Sequence, residues 1–209
     1  MADDWFRFRT WSPQIEEEFF RRLARSRSQR DQYLVIQALT IASTFPDVAL
    51  KLIDQYFATK ENDFEDVRAL SARVHAYLAQ DFLDKTVATM KEILEVERQR
   101  PSHRTNMYVE YPYLVATKKI ESEYATALAT LAERVGDLRF PLDIFKWHAA
   151  MSIIHAELKD VERSKRHAGE ALDAAEIKKS GFRFHQNLGL VGAEYRATVA
   201  GLRKIYLRR

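Results

Sequence analysis

The chain has 209 residues, of which 46% are hydrophobic and 30% charged, with only 6 glycines and 5 prolines. That composition excludes collagen-like, low-complexity and disordered classes, and the length is enough for a core that needs no metal or disulfide staple. Cysteine is absent, which removes disulfide frameworks, cysteine–zinc sites, thiol nucleophiles and c-type haem attachment. Charge is nearly balanced, 33 Lys+Arg against 30 Asp+Glu. No apolar run approaches the roughly 18 residues of a membrane span, and with Met1, Asp3, Asp4 and Trp5 in place of a basic stretch before an apolar one, no signal peptide is expected. The expectation is a soluble, cytoplasmic, all-α protein without a membrane partner.

In chain order, the first helix is expected from Ser12-Pro13, with Ser12 as cap, Pro13 at the first helical position, and Ile15, Phe19 and Leu23 along one stripe. A densely apolar helix follows from Gln29 to Ser43, then a turn at Phe45-Pro46-Asp47 and a stripe of Val48, Leu52, Ile53 and Phe57. The next pair is Phe64–Leu78 and a helix carrying Leu83, Val87, Met90 and Leu94, ended by a long break at Arg98–Asn106. Met107–Lys118 pairs with a helix running through Tyr124, Leu128 and Val135, which Gly136 is expected to stop. Pro141–Leu158 pairs with Val161–Ile177, stopped by Lys178, Lys179 and a left-handed Gly181. A final amphipathic helix of four to five turns is expected through Leu188, Val191, Tyr195, Val199, Leu202 and Tyr206. No segment alternates with period two long enough to predict a strand.

Helical hairpins in series invite a search for a repeat. Tyr77-Leu78-Ala79-Gln80-Asp81-Phe82-Leu83-Asp84-Lys85-Thr86-Val87, closing on Ile93-Leu94-Glu95-Val96, resembles the second half of a tetratricopeptide repeat. Aligning the hairpins on a small residue in each second helix gives Ala49, Thr86, Ala125 and Ser164, at intervals of 37, 39 and 39. A small residue is needed there because the two helices approach closely. The matching first-helix positions are Gln37, Val74, Tyr113 and Ser152. The resemblance spans residues 29–176 and implies one α-solenoid domain over 1–209. Its parts are an N-terminal helix (12–28), four hairpins (29–176) and a C-terminal capping helix (183–209). It places groove-lining positions near Arg68, Ser71, His75, Met107, Glu110, Leu114, Lys146, Ala149 and Ile153, a set mixed in charge, unlike a site for an acidic C-terminal tail.

No motif for chemistry emerges. Histidines 75, 103, 148, 155, 167 and 185 match neither His-Glu-x-x-His nor a Glu-x-x-His bundle signature. His148 and His155 are seven apart and can share a helix face, but two ligands fall short of a zinc set. His155-Ala156-Glu157 resembles the start of a zinc-deaminase signature that requires cysteines the chain lacks. There is no phosphate-binding glycine loop and no nucleophile elbow. No cofactor or metal is implied, and an enzyme is the least supported class.

Binding surfaces are the alternative. Three arginine-rich clusters stand out: Arg21 to Arg30; Arg98, Arg100 and Arg104; and Arg203, Lys204, Arg208 and Arg209. The second adjoins His103, Tyr108, Tyr111 and Tyr113, and arginine with tyrosine is an interface composition that also suits stacked nucleobases, while the alternative is that the tyrosines pack the repeat core and the arginines solvate the loop. Phe182-Arg183-Phe184-His185 is expected to anchor the last helix through its phenylalanines. The leading expectation is a non-enzymatic adaptor holding a peptide or protein, with Arg68, His75, Arg104, Tyr108, Tyr111 and Lys146 as partner-binding residues. The alternatives are a nucleic-acid-binding repeat protein and an inhibitor or immunity-type protein. A homodimer through the C-terminal helix is a further possibility.

Overall fold

The computed structural model describes residues 4–208, which form ten α-helices and four short 3-10 turns, with no strand among the described residues. The chain divides into two compact units, the first ending at Arg104 and the second beginning at Thr105.

The first unit holds α1 (Pro13–Leu23), α2 (Arg30–Ile41), α3 (Pro46–Thr59), α4 (Asp66–Ala79) and α5 (Leu83–Gln99). α1 starts as the sequence predicts: the Ser12 hydroxyl accepts the Ile15 N–H at 3.3 Å, and Pro13 opens the helix. α2 packs on α3 and α4, and α4 on α5, around Leu34, Ile41, Ile53 and Tyr56. The stretch before α1 shows no periodicity, yet it is part of this core. Trp5, Phe6, Phe8 and Trp11 pack onto it, and buried Gln37 clamps the Phe8 backbone, accepting its N–H at 2.9 Å and donating to its carbonyl at 2.8 Å. The amide of Gln37 is therefore satisfied inside the core, where an apolar residue would leave the Phe8 groups without partners.

The second unit holds α6 (Met107–Thr117), α7 (Tyr124–Glu133), α8 (Pro141–Glu157), α9 (Val161–Glu176) and α10 (Arg196–Tyr206). α8 is its centre and touches the other four helices.

Three helix joints share one construction. Asp81, Lys119 and Lys159 sit in the left-handed region at φ 57°, 55° and 63°. In each, the next residue's N–H reaches back to a carbonyl five positions earlier: Phe82 to Tyr77 (2.9 Å), Ile120 to Val115 (3.0 Å) and Asp160 to His155 (2.9 Å). This is the Schellman ending of a helix, and it recurs at intervals of 38 and 40 residues. The α2–α3 joint differs: Phe45 donates to Ile41 at 2.7 Å, Pro46 opens α3, and no left-handed residue is present.

The joints correct the register of the third hairpin. Thr86 and Ser164 stand at the same distance past their joints, and the equivalent residue after Lys119 is Tyr124 rather than Ala125, which is exposed. On the first helices Val74 and Ser152 correspond to Pro112 rather than Tyr113. Where both positions are small, α8 and α9 approach until the Ser152 hydroxyl donates to the Ser164 carbonyl (3.0 Å) and the Ser164 hydroxyl to the Ser152 carbonyl (2.9 Å). Where the matching residues are Pro112 and bulky Tyr124, the 3-10 turn Glu121–Glu123 precedes α7 and the buried Tyr124 hydroxyl has no hydrogen-bond partner.

Two helix ends differ from expectation. α7 stops at Glu133, and Gly136 lies in the 3-10 turn beyond it. α9 stops at Glu176 because Ile177 turns extended, and Gly181 is not left-handed. α10 is correspondingly short: Leu188 and Val191 belong to the preceding loop, where Gly189 at φ 68° carries the one left-handed glycine among the described residues. The α10 stripe packs inside the second unit, where Leu202, Val199 and Ile205 lie against α8 and α9.

A left-handed lysine is strained by about 1 kcal/mol. Replacing Lys159 by Gly is expected to raise the free energy of unfolding by about 0.5–1 kcal/mol in urea, and replacing it by Val to lower it by at least that much.

Candidate functional site

The arginine–tyrosine region is divided between the two units. Arg98, Arg100, His103 and Arg104 belong to the first unit, and the tyrosines to the second. Arg100 pairs with Asp63, Arg98 with Glu95 at 3.3 Å, and the His103 ring meets Phe64 edge-on. Tyr108 and Tyr111 are 5% and 0% exposed, so their reading as surface anchors is corrected: both are core residues. The Tyr108 hydroxyl donates to the Asp137 carbonyl at 3.0 Å with the Arg134 guanidinium over its ring, and the Tyr111 hydroxyl donates to Glu123 at 2.7 Å. Burial, with acidic neighbours, pushes the Tyr108 hydroxyl up to about 12 and the Tyr111 hydroxyl higher still. Of the other sequence candidates, Arg68 lies on α4 and pairs with Glu65 at 2.7 Å, His75 is exposed on the same helix, and Arg104 is exposed where the first unit ends.

Lys146 on α8 is buried and neutralised. Its ammonium binds Glu110 on α6 and lies 5.7 and 5.3 Å over the rings of Tyr113 and Tyr195. Burial alone would lower its pKa, but Glu110 and Tyr195 together outweigh it and the ammonium is held above the ordinary lysine value. Tyr113 closes this end by bonding the Thr198 hydroxyl of α10 at 2.7 Å.

Beyond that closure, α6, α8 and α10 diverge into a groove of about 770 Å³. Its walls are Ala116 and Thr117 from α6, Ile153 and Ala156 from α8, and Ala197, Gly201, Leu202 and Ile205 from α10. Lys119, Glu157, Lys159 and Arg208 stand at its rim, and a second hollow of about 330 Å³ continues past Lys159 and Arg208 to Val161 and Lys165. Glu157 pairs with Lys119 at 2.7 Å, so Lys159, Lys165 and Arg208 leave this end cationic. Of the residues the repeat resemblance named, Ile153 lines the groove, while Lys146 lies in the closed end. Lys159, Gly201 and Ile205 were missed, and Arg208 was read only as part of a C-terminal arginine cluster. The α10 stripe reads in sequence as a cap, and nothing in its spacing says that one flank of it stays open. The first unit has a hollow of about 430 Å³ whose charges are mixed, Arg27 and Arg30 against Asp31, Glu61 and Glu65.

The pairing of His148 with His155 gains a third member that the sequence did not reveal. His167 of α9 meets His148 with the two Nδ1 atoms 3.0 Å apart, and its ring lies parallel to that of His155 at 6.1 Å, with Trp147 against the group. Among the described residues no three His, Cys, Asp or Glu side chains are arranged to hold a metal ion. The Nδ1 contact carries one proton between two rings, which disfavours a second charge. Burial first, then the neighbouring His148 and Arg166, lower the His167 pKa to about 4, and burial lowers those of His148 and His155. Glu170 opposes the shift at His148, and Asp160 at His155.

No helix among the described residues is long and apolar enough to cross a membrane. No protein-family model, curated protein or solved structure matches the chain.

Two outcomes follow from this packing. Tyr111→Ala removes a fully buried ring and is expected to cost about 3–5 kcal/mol of stability in urea unfolding. The histidine cluster binds fewer protons folded than unfolded between pH 6.5 and about 4. Stability is therefore complete above pH 6.5 and declines as pH falls through that window, and His167→Gln is expected to flatten the decline.

Proposed function

We propose that the protein is a non-enzymatic binding module that holds a peptide segment of a partner protein in the groove between α6, α8 and α10. The observation that carries this reading is the groove's division of chemistry. Its walls are apolar and include the small side chains Ala116, Ala156, Ala197 and Gly201, while cations collect at one end around Lys159, Lys165 and Arg208. Apolar walls supply affinity through area removed from water, and charge at one end supplies direction. The fitting ligand is an apolar segment with an acidic residue toward the Lys159–Arg208 end.

Three hairpin joints built alike at near-constant spacing support a tetratricopeptide-like solenoid as the architecture of this module. In such arrays the first helices of successive hairpins share a face, and α6, α8 and α10 fit that role. An inhibitor that blocks a partner enzyme would use the same kind of groove. The first unit's arginines already have carboxylate neighbours at Arg68, Arg98 and Arg100, which weakens them as a phosphate-binding row.

Selection of a random peptide library against the full chain tests the reading. The expected enriched sequences combine an apolar stretch with Asp or Glu. A Cβ at Gly201 meets nothing within 4 Å, so Gly201→Trp fills the groove without disturbing the helix packing. That variant, and Lys159→Glu combined with Arg208→Glu, are each expected to weaken peptide binding about tenfold or more with Tm unchanged. Equal binding by both variants, or an absence of enriched peptides, overturns the proposal. Single-stranded nucleic acid bound with a steep salt dependence that Arg98, Arg100 and Arg104→Ala abolishes would replace it.

A further inference from the structure

The loop between α9 and α10 presents apolar side chains and cations together. From Ile177 to Ala193 it contains no Asp or Glu, but it contains Lys178, Lys179 and Arg183. Phe184 is 83% exposed, and Leu188 and Phe182 are 51% and 44% exposed. The sequence expects both phenylalanines to anchor the last helix; instead Phe182 stacks on Phe140 at the start of α8, 5.2 Å between ring centres, and Phe184 stands exposed.

The loop is nonetheless built rather than loose. The Ser180 hydroxyl donates to the His185 carbonyl at 2.7 Å, and the Ser180 N–H to the Gln186 carbonyl at 2.7 Å. At its far end the Leu142 N–H donates to the Gly189 carbonyl at 2.8 Å. Gly189 is left-handed, and a Cβ there would lie 2.4 Å from the Phe140 ring, so only glycine lets the loop settle against the start of α8. The tip is thus held with its backbone partly satisfied and its largest apolar side chain directed away from the core.

We infer that this loop is a docking surface for an anionic lipid bilayer. Phe184, with Leu188 beside it in the loop, enters the headgroup–acyl boundary while Lys178, Lys179 and Arg183 lie among the anionic headgroups. Charge complementarity selects the lipid: Lys179 and Arg183 have no carboxylate within ion-pair distance among the described residues, and Lys178 reaches Glu176 only at 3.9 Å. The aliphatic character of Leu188 and Ile177 favours lipid over nucleic acid, whose bases need planar stacking partners. One face of the Phe184 ring is also covered by the Arg183 guanidinium, 5.3 Å from its centre. This contact is with the membrane surface and requires no spanning helix.

Sedimentation of the full chain with vesicles tests the inference. Binding is expected to vesicles of equal parts phosphatidylglycerol and phosphatidylcholine, and not to phosphatidylcholine alone. Phe184→Ser is expected to lower the partition coefficient about tenfold, and Lys178→Ala with Lys179→Ala about 30-fold. Both leave Tm unchanged, because these side chains are exposed. The inference is overturned by equal binding to the two vesicle types, by undiminished binding of both variants, or by displacement with excess inorganic phosphate at constant ionic strength. It is equally overturned if Phe184→Ser abolishes retention on single-stranded RNA and leaves vesicle binding intact.

Discussion

How closely two antiparallel helices can approach is decided near the joint that reverses the chain, and this constraint organises the second unit. Between α8 and α9 the Schellman joint at Lys159 fixes the reversal, and Ser152 and Ser164 let the helices meet closely enough to exchange hydroxyl–carbonyl bonds. Each bond is worth only about 1 kcal/mol net. Their larger effect is geometric, because a bigger side chain at either position would push the helices apart. With α9 fixed against α8, α10 packs on both, and α8 is left presenting Ile153 and Ala156 toward the groove. The contrast within the same unit is instructive: Pro112 and Tyr124 occupy the matching positions of the third hairpin, and α7 begins a turn late.

Polar groups then differentiate the faces of α8. On one side Lys146 and Glu110 neutralise each other beneath Tyr113 and Tyr195, closing one end of the cleft between α6 and α10. Burying that pair is neutral or costly beside an apolar alternative, so its consequence here lies more in closing the cleft than in stability. On another side His148, His155 and His167 pack between α8 and α9 in a setting that favours their neutral forms. The open groove lies where neither device operates. Its cations come from the joint residue Lys159, from Lys165 on α9 and from Arg208 after α10, so the joint that sets the helix approach supplies only part of its charge.

Much of this was legible in the sequence because helices announce themselves locally. Ser12-Pro13, Phe45-Pro46 and Pro141 each mark a helix start that the structure places at or beside those residues. The small residue Ser164 identified a real close approach, and the third hairpin slipped by one residue because Ala125 imitates a position that Tyr124 fills. Three features were hidden because they depend on distant partners. The aromatic segment before α1 has no period and is fixed by Gln37, far along the chain. Tyr108 and Tyr111 suit either an interface or the core by composition, and only burial decides for the core. The groove combines three helices with no shared motif, and its defining feature is unfilled space beside Gly201, which residue spacing does not encode.

The most direct measurement of the central claim is a ¹⁵N-correlated NMR titration of the full chain with a library-selected peptide. With the peptide in the groove, the amide shifts are expected to concentrate at Ala116, Ile153, Ala156, Gly201 and Ile205, with the largest charge-dependent changes at Lys159 and Arg208. Shifts confined to the first unit, or centred on the loop at Phe184 with the groove amides unmoved, would contradict that claim.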